Sequence, residues 1–326
     1  MRAFVVSASD DTVETSVRDE PMPQRDDVIV KVEWSGVNFK DSMVVAPSSR
    51  VRRSARLIGG VDAAGIVAES TDPQLPVGTP VAVHGGDMGV GRNGGFAEYV
   101  ASPSRYVTAL PSNVTTRTAM ILGTAGFTAF ASIRALELHS LTPGDGEVLV
   151  TGATGGVGSW AVAALAARGY HVVASTGSTA SHEWLRAHGA STIIGRDDIA
   201  DRPERVLGTE RWAGAVDCVG GTTLHQILRS LRYGAAVAAS GLVASADLAT
   251  NVYPFITRSV ALLGIDAVEA TATTRHETWR LVSDAIDDID VESLVDSEIS
   301  LEEIPEALRT ISDGATQGRI LVRPTN

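Results

Sequence analysis

The run Val148-Leu149-Val150-Thr151-Gly152-Ala153-Thr154-Gly155-Gly156-Val157-Gly158 places glycines at 152, 155 and 158 between an apolar stretch and the small-residue stretch SWAVAALAARG. The first stretch reads as a strand and the second as a helix. Glycines at such a junction allow a tight turn and let backbone N–H groups approach a pyrophosphate on the positive end of the helix. The strand–turn–helix context makes G-x-x-G-x-x-G a dinucleotide signal rather than a merely structural turn. The end of the next strand indicates which dinucleotide. Val173-Ala174-Ser175-Thr176-Gly177-Ser178 offers hydroxyls, and no acid comes before Glu183 to hold both ribose hydroxyls. That environment suits a 2′-phosphate, which Arg196 could reach one strand later, so NADPH is the expected cofactor.

A second group of reactive types is Asn38-Phe39-Lys40-Asp41, on a short loop after a strand. Asn38 could donate to a substrate oxygen or to the nicotinamide amide, or could be a turn residue. Lys40 and Asp41 are the other catalytic candidates, with a surface ion pair as the alternative. Arg50, Arg52, Arg53 and Arg56 follow in SSRVRRSAR, a positive patch for the phosphates of a coenzyme A ester or simply a solvated face. The glycine letters also fit a short-chain dehydrogenase, but that chemistry needs a Tyr-x-x-x-Lys pair downstream and no lysine follows Lys40.

Metal chemistry is not expected. The single cysteine, Cys218, lies far in sequence from the candidate catalytic loop and reads as a small buried hydrophobe. His84 has no Cys or acid spaced to share a metal, and one cysteine allows neither an internal disulfide nor Cys-rich zinc.

These groups need elements to position them. The stretch 1–120 reads as short strands bounded by Gly, Pro, Asp or Ser, among them VIVKVEWSGV, AGIVAES, TPVAVHG and FAEYVAS. From 121 to 292 strands alternate with helices, the pattern of a parallel sheet covered on both faces; GAVDCVGG, GAAVAASGL and SVALLGIDAV read as its later strands. MILGTAGFTAFASIRALELHSL reads as one helix at its start. From 293 to 326 come a helix, SLEEIPEALRTIS, and a closing strand, GRILVRP, expected to return to the first module. The 326 residues carry a net charge of −12, which disfavours nucleic acid as a partner. MRAFVVSASDD turns acidic too soon for a signal peptide, and no apolar run is read as approaching a membrane span. A cytoplasmic protein without a membrane partner is expected.

Three segments together, Asn38-Phe39-Lys40-Asp41, IGGVDAAGIV and MILGTAGFTAFASIRALE ahead of DGEVLVTGATGGVG, resemble the zinc-free, quinone oxidoreductase-like medium-chain dehydrogenase/reductases. DGEVLVTGATGGVGS, SHEWLRAHGAS, RWAGAVDCVGG, YPFITRSVALLGID and QGRILV resemble the acrylyl-CoA reductase branch. The resemblance implies an α/β fold, a Rossmann doubly wound parallel sheet inserted into a mostly β, GroES-like catalytic domain, and a homodimer paired through the edge strand in SVALLGIDAV. It implies a phosphate loop at Thr154 to Val157, a ribose site at Thr176, Gly177 and Ser178, and Arg196 near the 2′-phosphate. Leu242 and Ile256 are implied on the nicotinamide side, with Gln317 as a further contact. The branch usually has Tyr where this chain has Phe39, also expected at the cofactor, and often has Arg where it has Ser178. The implied reaction is NADPH-dependent reduction of acryloyl-CoA to propionyl-CoA. A quinone or small-enone reductase is the alternative, and a non-catalytic NADPH-binding protein the third reading.

Overall fold

The computed structural model describes residues 1–9, 12–24, 27–200 and 205–325. The chain forms two compact units, one of 1–125, 267–276 and 291–326, the other of 126–266 and 277–290.

The first unit holds β1 (Arg2–Ala8), β2 (Val13–Asp19), β3 (Val28–Val37), the short helix α1 (Phe39–Val45), β4 (Arg56–Ile58), β5 (Asp62–Ser70), β6 (Pro80–His84), β7 (Tyr99–Ser102) and β8 (Val107–Ala109). In β3, Val28, Val30 and Val32 are buried while Lys31 and Glu33 stay exposed, because alternate side chains of a strand point to opposite faces. The buried set packs with Ala63, Val67, Val81, Val83 and Val100. Helix α2 (Thr116–Leu138) begins in this unit and ends in the other.

The second unit continues with β9 (Glu147–Thr151), α3 (Gly156–Ala167), β10 (His171–Ser175), α4 (His182–Ala187), β11 (Thr192–Ile194), β12 (Trp212–Asp217), α5 (Gly221–Ser230), β13 (Leu231–Ala239), α6 (Tyr253–Arg258), β14 (Ala261–Gly264) and α7 (Ala272–Ala285), whose first turn lies in the first unit. Its six strands are all parallel, in the order β11-β10-β9-β12-β13-β14. Val148 to Val150 and Val172 to Ala174 are fully buried, as runs in a sheet covered on both faces must be. The order reverses direction between β9 and β12, and in such sheets ligands bind outside the strand carboxyl ends at that reversal.

The chain then returns to the first unit with β15 (Val295–Ile299), α8 (Ile304–Ser312) and β16 (Arg319–Val322). β16 pairs antiparallel with β3, within the order β15-β16-β3-β5-β6-β8. On α8, Ile304, Ala307 and Leu308 share one face and bury against Phe4, Val6 and Phe96.

Four expectations need correction. The helix expected from Met120 starts at Thr116 and breaks at Gly123, whose backbone (φ 53°, ψ −164°) is not helical. That helix is also long and apolar enough to cross a membrane, contrary to the expectation of no such run; most of its apolar window is buried inside the fold. SVALLGIDAV is not one strand: β14 ends at Gly264, and Ala267 and Val268 belong to the first unit. Strand β15, parallel to β16, was not anticipated, since VDSEI alternates weakly and carries two acids.

Candidate functional site

In the second unit the glycine turn has the conformation its composition suggests. Gly155 caps α3 with no side-chain hydrogen bond and no acid in the first turn, so the N–H groups opening the helix are available to an anion. A Cβ on Gly158 would lie 2.2 Å from the Gly152 carbonyl oxygen, so only glycine lets α3 approach the turn this closely. The turn is braced by a residue sequence reading missed. Asp217, buried at the end of β12, accepts hydrogen bonds from Thr151 Oγ1 (2.6 Å), Val219 N (3.3 Å) and Gly220 N (2.9 Å). The only sequence signal for it was an acid inside an apolar strand. Cys218 beside it is buried, and burial raises its thiol to about 12, so it has no thiolate chemistry near neutrality.

After β10, Thr176 Oγ1 accepts the Ser178 N–H at 3.1 Å, and Ser181 Oγ donates to Ser178 Oγ at 2.9 Å. Arg196, just after β11, lays its guanidinium on Gly177: a Cβ there would stand 2.8 Å from both Cζ and Nε. The structure thus brings Thr176, Gly177, Ser178 and Arg196 together, with the cation exposed and no acid among residues 176–181; Asp197 and Asp198 follow Arg196 in the chain. That set fits a phosphorylated ribose, since a guanidinium fork matches phosphate geometry. Leu242 follows β13 and is 50% exposed; Ile256 lies on α6 and is 71% exposed, a large apolar side chain left open.

In the first unit, Asn38 caps α1, and Asp41 closes a capping box by accepting the Asn38 N–H at 2.8 Å. The other Asp41 oxygen accepts the Val61 N–H at 3.1 Å. Asp41 is buried, so the surface ion-pair alternative is ruled out, and both its oxygens serve the backbone. Burial, with help from the charge of Asp62, pushes its carboxyl up to about 7. The Asn38 amide is equally committed. Its nitrogen donates to Gly36 O (3.2 Å) and to Asp62 Oδ2 (2.9 Å), and its oxygen accepts from Arg319 Nη1 (3.1 Å). The expected donation from Asn38 to substrate or nicotinamide is therefore corrected: both N–H groups are spent within the fold.

Asp62 and Arg319 form the centre of this arrangement, and sequence reading had singled out neither. Asp62 Oδ2 also accepts the Thr124 N–H at 2.9 Å, just past the break in α2. Arg319, at the start of β16, donates to the carbonyls of Ile121 (3.1 Å) and Val37 (3.3 Å) and faces Asp62 at 3.8 Å. Burial raises the Asp62 carboxyl and lowers Arg319, while each opposes the shift of the other. The ion pair pins the loop after β3, the broken helix and the last strand to one point.

Above that point lies a pocket of about 360 Å³, counting its open mouth. Its walls are Val61, Met88, Val90, Ala267 and Val268 with Gly85 and Gly86, and its polar lining is Asn38, Lys40 and Thr124. Lys40 thus reaches the pocket, and Asp41 does not line it. Phe39 opens α1 and is more exposed than either neighbour. Gln317 is half-buried two residues before β16.

The arginine cluster divides. Arg52 Nη1 donates to the carbonyls of Val44 (2.6 Å) and Ala46 (3.2 Å), so it caps the end of α1, and Arg56 pairs with Glu20. Arg50 and Arg53 are exposed, and the Arg53 N–H donates to the carbonyl of Val90, a pocket residue.

Comparison with known proteins places this geometry among relatives. Residues 24–112 match the alcohol dehydrogenase GroES-like domain, and residues 156–287 match the domain described as zinc-binding dehydrogenase. Among the described residues, no three His, Cys, Asp or Glu side chains stand together as a metal site. A Bacillus subtilis 168 protein, provisionally named quinone oxidoreductase YhfP, is 42% identical over 94% of this chain and 93% of its own. The probable acrylyl-CoA reductase AcuI of Escherichia coli K12 is 40% identical over 99% of each. Among solved structures, the E. coli K-12 protein YhdH with bound NADPH superposes with a TM-score of 0.93 at 39% identity, covering 99% of this chain and 100% of the other. B. subtilis yhfP with NAD bound superposes at 0.94 and 41% identity, covering 99% and 98%.

Proposed function

The chain belongs to the medium-chain dehydrogenase/reductase family, and on that premise we propose that it reduces the C=C bond of a short enoyl-CoA with NADPH, acryloyl-CoA to propionyl-CoA being the expected reaction. One observation carries the substrate reading: a small apolar pocket whose polar lining is a single cation, Lys40, with Thr124 and a fully committed Asn38. An enoyl thioester needs just such a seat, with apolar walls for the acyl chain and a donor for the thioester oxygen. The relatives divide between bound NADPH and bound NAD, and Arg196 lying on Gly177, with no carboxylate in the loop, favours the phosphorylated form.

When bound, NADPH supplies a hydride to the β-carbon of the conjugated bond. Negative charge then grows on the thioester oxygen, where Lys40 is the donor at hand; one such donor contributes about 10²–10³ in rate. Asn38 and Asp41 act as positioning residues. Asp41 fixes the turn that carries Lys40, and Asn38 holds that turn to Asp62 and Arg319. Phe39 brings no hydroxyl, so the α-carbon takes its proton from another side chain or from water. Arg53, next to Val90, and Arg50 are the cations for the coenzyme A phosphates.

The quinone reading keeps the same pocket and cofactor, and the YhfP relative and the missing hydroxyl at Phe39 favour it. NADPH oxidation followed by absorbance, with acryloyl-CoA, crotonyl-CoA and a benzoquinone in parallel, separates the two. Turnover of the thioesters supports the proposal. Turnover of the quinone alone overturns it, and NADPH binding without turnover of any acceptor leaves the non-catalytic reading.

A further inference from the structure

Ala267 and Val268 stand in the pocket wall on a stretch, 267–276, that rejoins the first unit between two segments of the second. Four ties hold it there. His84, at the end of β6, is 2% exposed, and Arg275 is 5% exposed. Arg275 Nη1 lies 3.0 Å from both ring nitrogens of His84 and donates to its carbonyl at 3.2 Å. The His84 ring is also hydrogen-bonded to the Ala267 backbone, and burial with the Arg275 charge holds its pKa well below the ordinary value, so the ring is neutral and can accept from a guanidinium. The Gly86 N–H donates to the Val268 carbonyl at 3.1 Å. Gly85 (φ +102°) leaves no room for a side chain, since a Cβ would meet that same carbonyl at 2.6 Å and Arg275 Nη2 at 3.0 Å. At the outer end the Tyr106 hydroxyl donates to Glu269 at 3.1 Å.

A buried cation beside a neutral ring is expensive to keep, and truncating one partner of such a contact strands the other. What the contact secures here is the backbone of the pocket wall. We propose that the His84–Arg275 clasp seats the 267–276 strap, and that the strap makes Val268 the residue limiting the acyl length the pocket accepts. Arg275 and His84 are positioning residues in this scheme, since Val268 and Ala267 line the pocket and they do not.

The inference rests on the enoyl-thioester reading of the pocket, and its test keeps the two separable. The purified chain with NADPH is assayed for kcat/KM on acryloyl-CoA and on 2-octenoyl-CoA, beside Val268→Ala, Arg275→Met and Arg275→Lys. NADPH affinity is measured by fluorescence as a readout the strap should leave alone. The expected result is a ratio of acryloyl to octenoyl kcat/KM that falls at least tenfold in Val268→Ala and Arg275→Met, with an intermediate value for Arg275→Lys. A ratio unchanged in Val268→Ala overturns the proposal, and so does a folded Arg275→Met variant with the parent ratio. If Arg275→Met does not fold, Tyr106→Phe tests the other end of the strap by the same ratio. If the parent reduces neither thioester, the enoyl-CoA reading is what fails, and the ratio is read instead from benzoquinone against a methylnaphthoquinone.

Discussion

Arg196 is the side chain whose surroundings discriminate most sharply between two cofactors. It sits on a glycine, is exposed, and has no acid from the loop after β10 to neutralise it. A charge-assisted hydrogen bond to phosphate contributes about 1.5–3 kcal/mol, so Arg196→Ala should weaken NADPH about 10- to 100-fold and leave NADH affinity unchanged; parallel fluorescence titrations check both. Asp41 makes a different prediction, through proton linkage. Its carboxyl is raised in the folded chain to about 7 from an ordinary 3.8, chiefly by burial. The native state therefore holds the proton more tightly than the unfolded one. The Asp41 contribution to stability is greatest below about pH 4 and is lost progressively as pH rises to 7, then stays flat. Asp41→Asn should remove that decline, seen as a smaller drop in Tm between pH 4 and 7 than in the parent. Sequence located the loop of Asn38, Lys40 and Asp41 but not its wiring. Asn38 bonds a carboxylate 24 residues on and a guanidinium 281 residues on, and no local pattern reports partners at that distance.

Elements with strong periodicity were legible. β3 announces itself by alternation, and β9, α3 and β10 by a strand, a glycine turn and a small-residue helix. The helix α2 was legible in type but not in shape, because its break at Gly123 depends on Asp62 holding the next N–H. The end of β14 was hidden for a similar reason: Ile265, Ala267 and Val268 continue its apolar run, yet the Val268 carbonyl is claimed by the Gly86 N–H. The α3–turn contact makes a test at this scale. A methyl group at Gly158 would meet the Gly152 oxygen at 2.2 Å and must push α3 away. Gly158→Ala should cost about 1–3 kcal/mol in a urea melt and raise the NADPH Kd at least tenfold.

For the molecule as a whole, the order of strands β11 to β14 leaves β14 at the edge of the second unit's sheet, with Leu262 exposed on it. An apolar edge strand invites pairing with another chain, and we propose that a second copy of the chain pairs there. Light scattering of the parent should then read a dimer and of Leu262→Glu a monomer, with NADPH affinity unchanged; a monomeric parent overturns the proposal. The split of the first unit into three stretches of sequence was legible only in its last strand, since the excursion at 267–276 carries no composition of its own.

The claim that the chain delivers a hydride to the β-carbon of an enoyl thioester is tested most directly by isotope placement. Acryloyl-CoA is incubated with the chain and NADPH deuterated on either face of C4, and the propionyl-CoA is read by mass spectrometry and NMR. One deuterium at C3, from one face of the cofactor only, is the predicted result. Propionyl-CoA labelled at C2, or no labelled thioester while a quinone consumes the same NADPH, would contradict it.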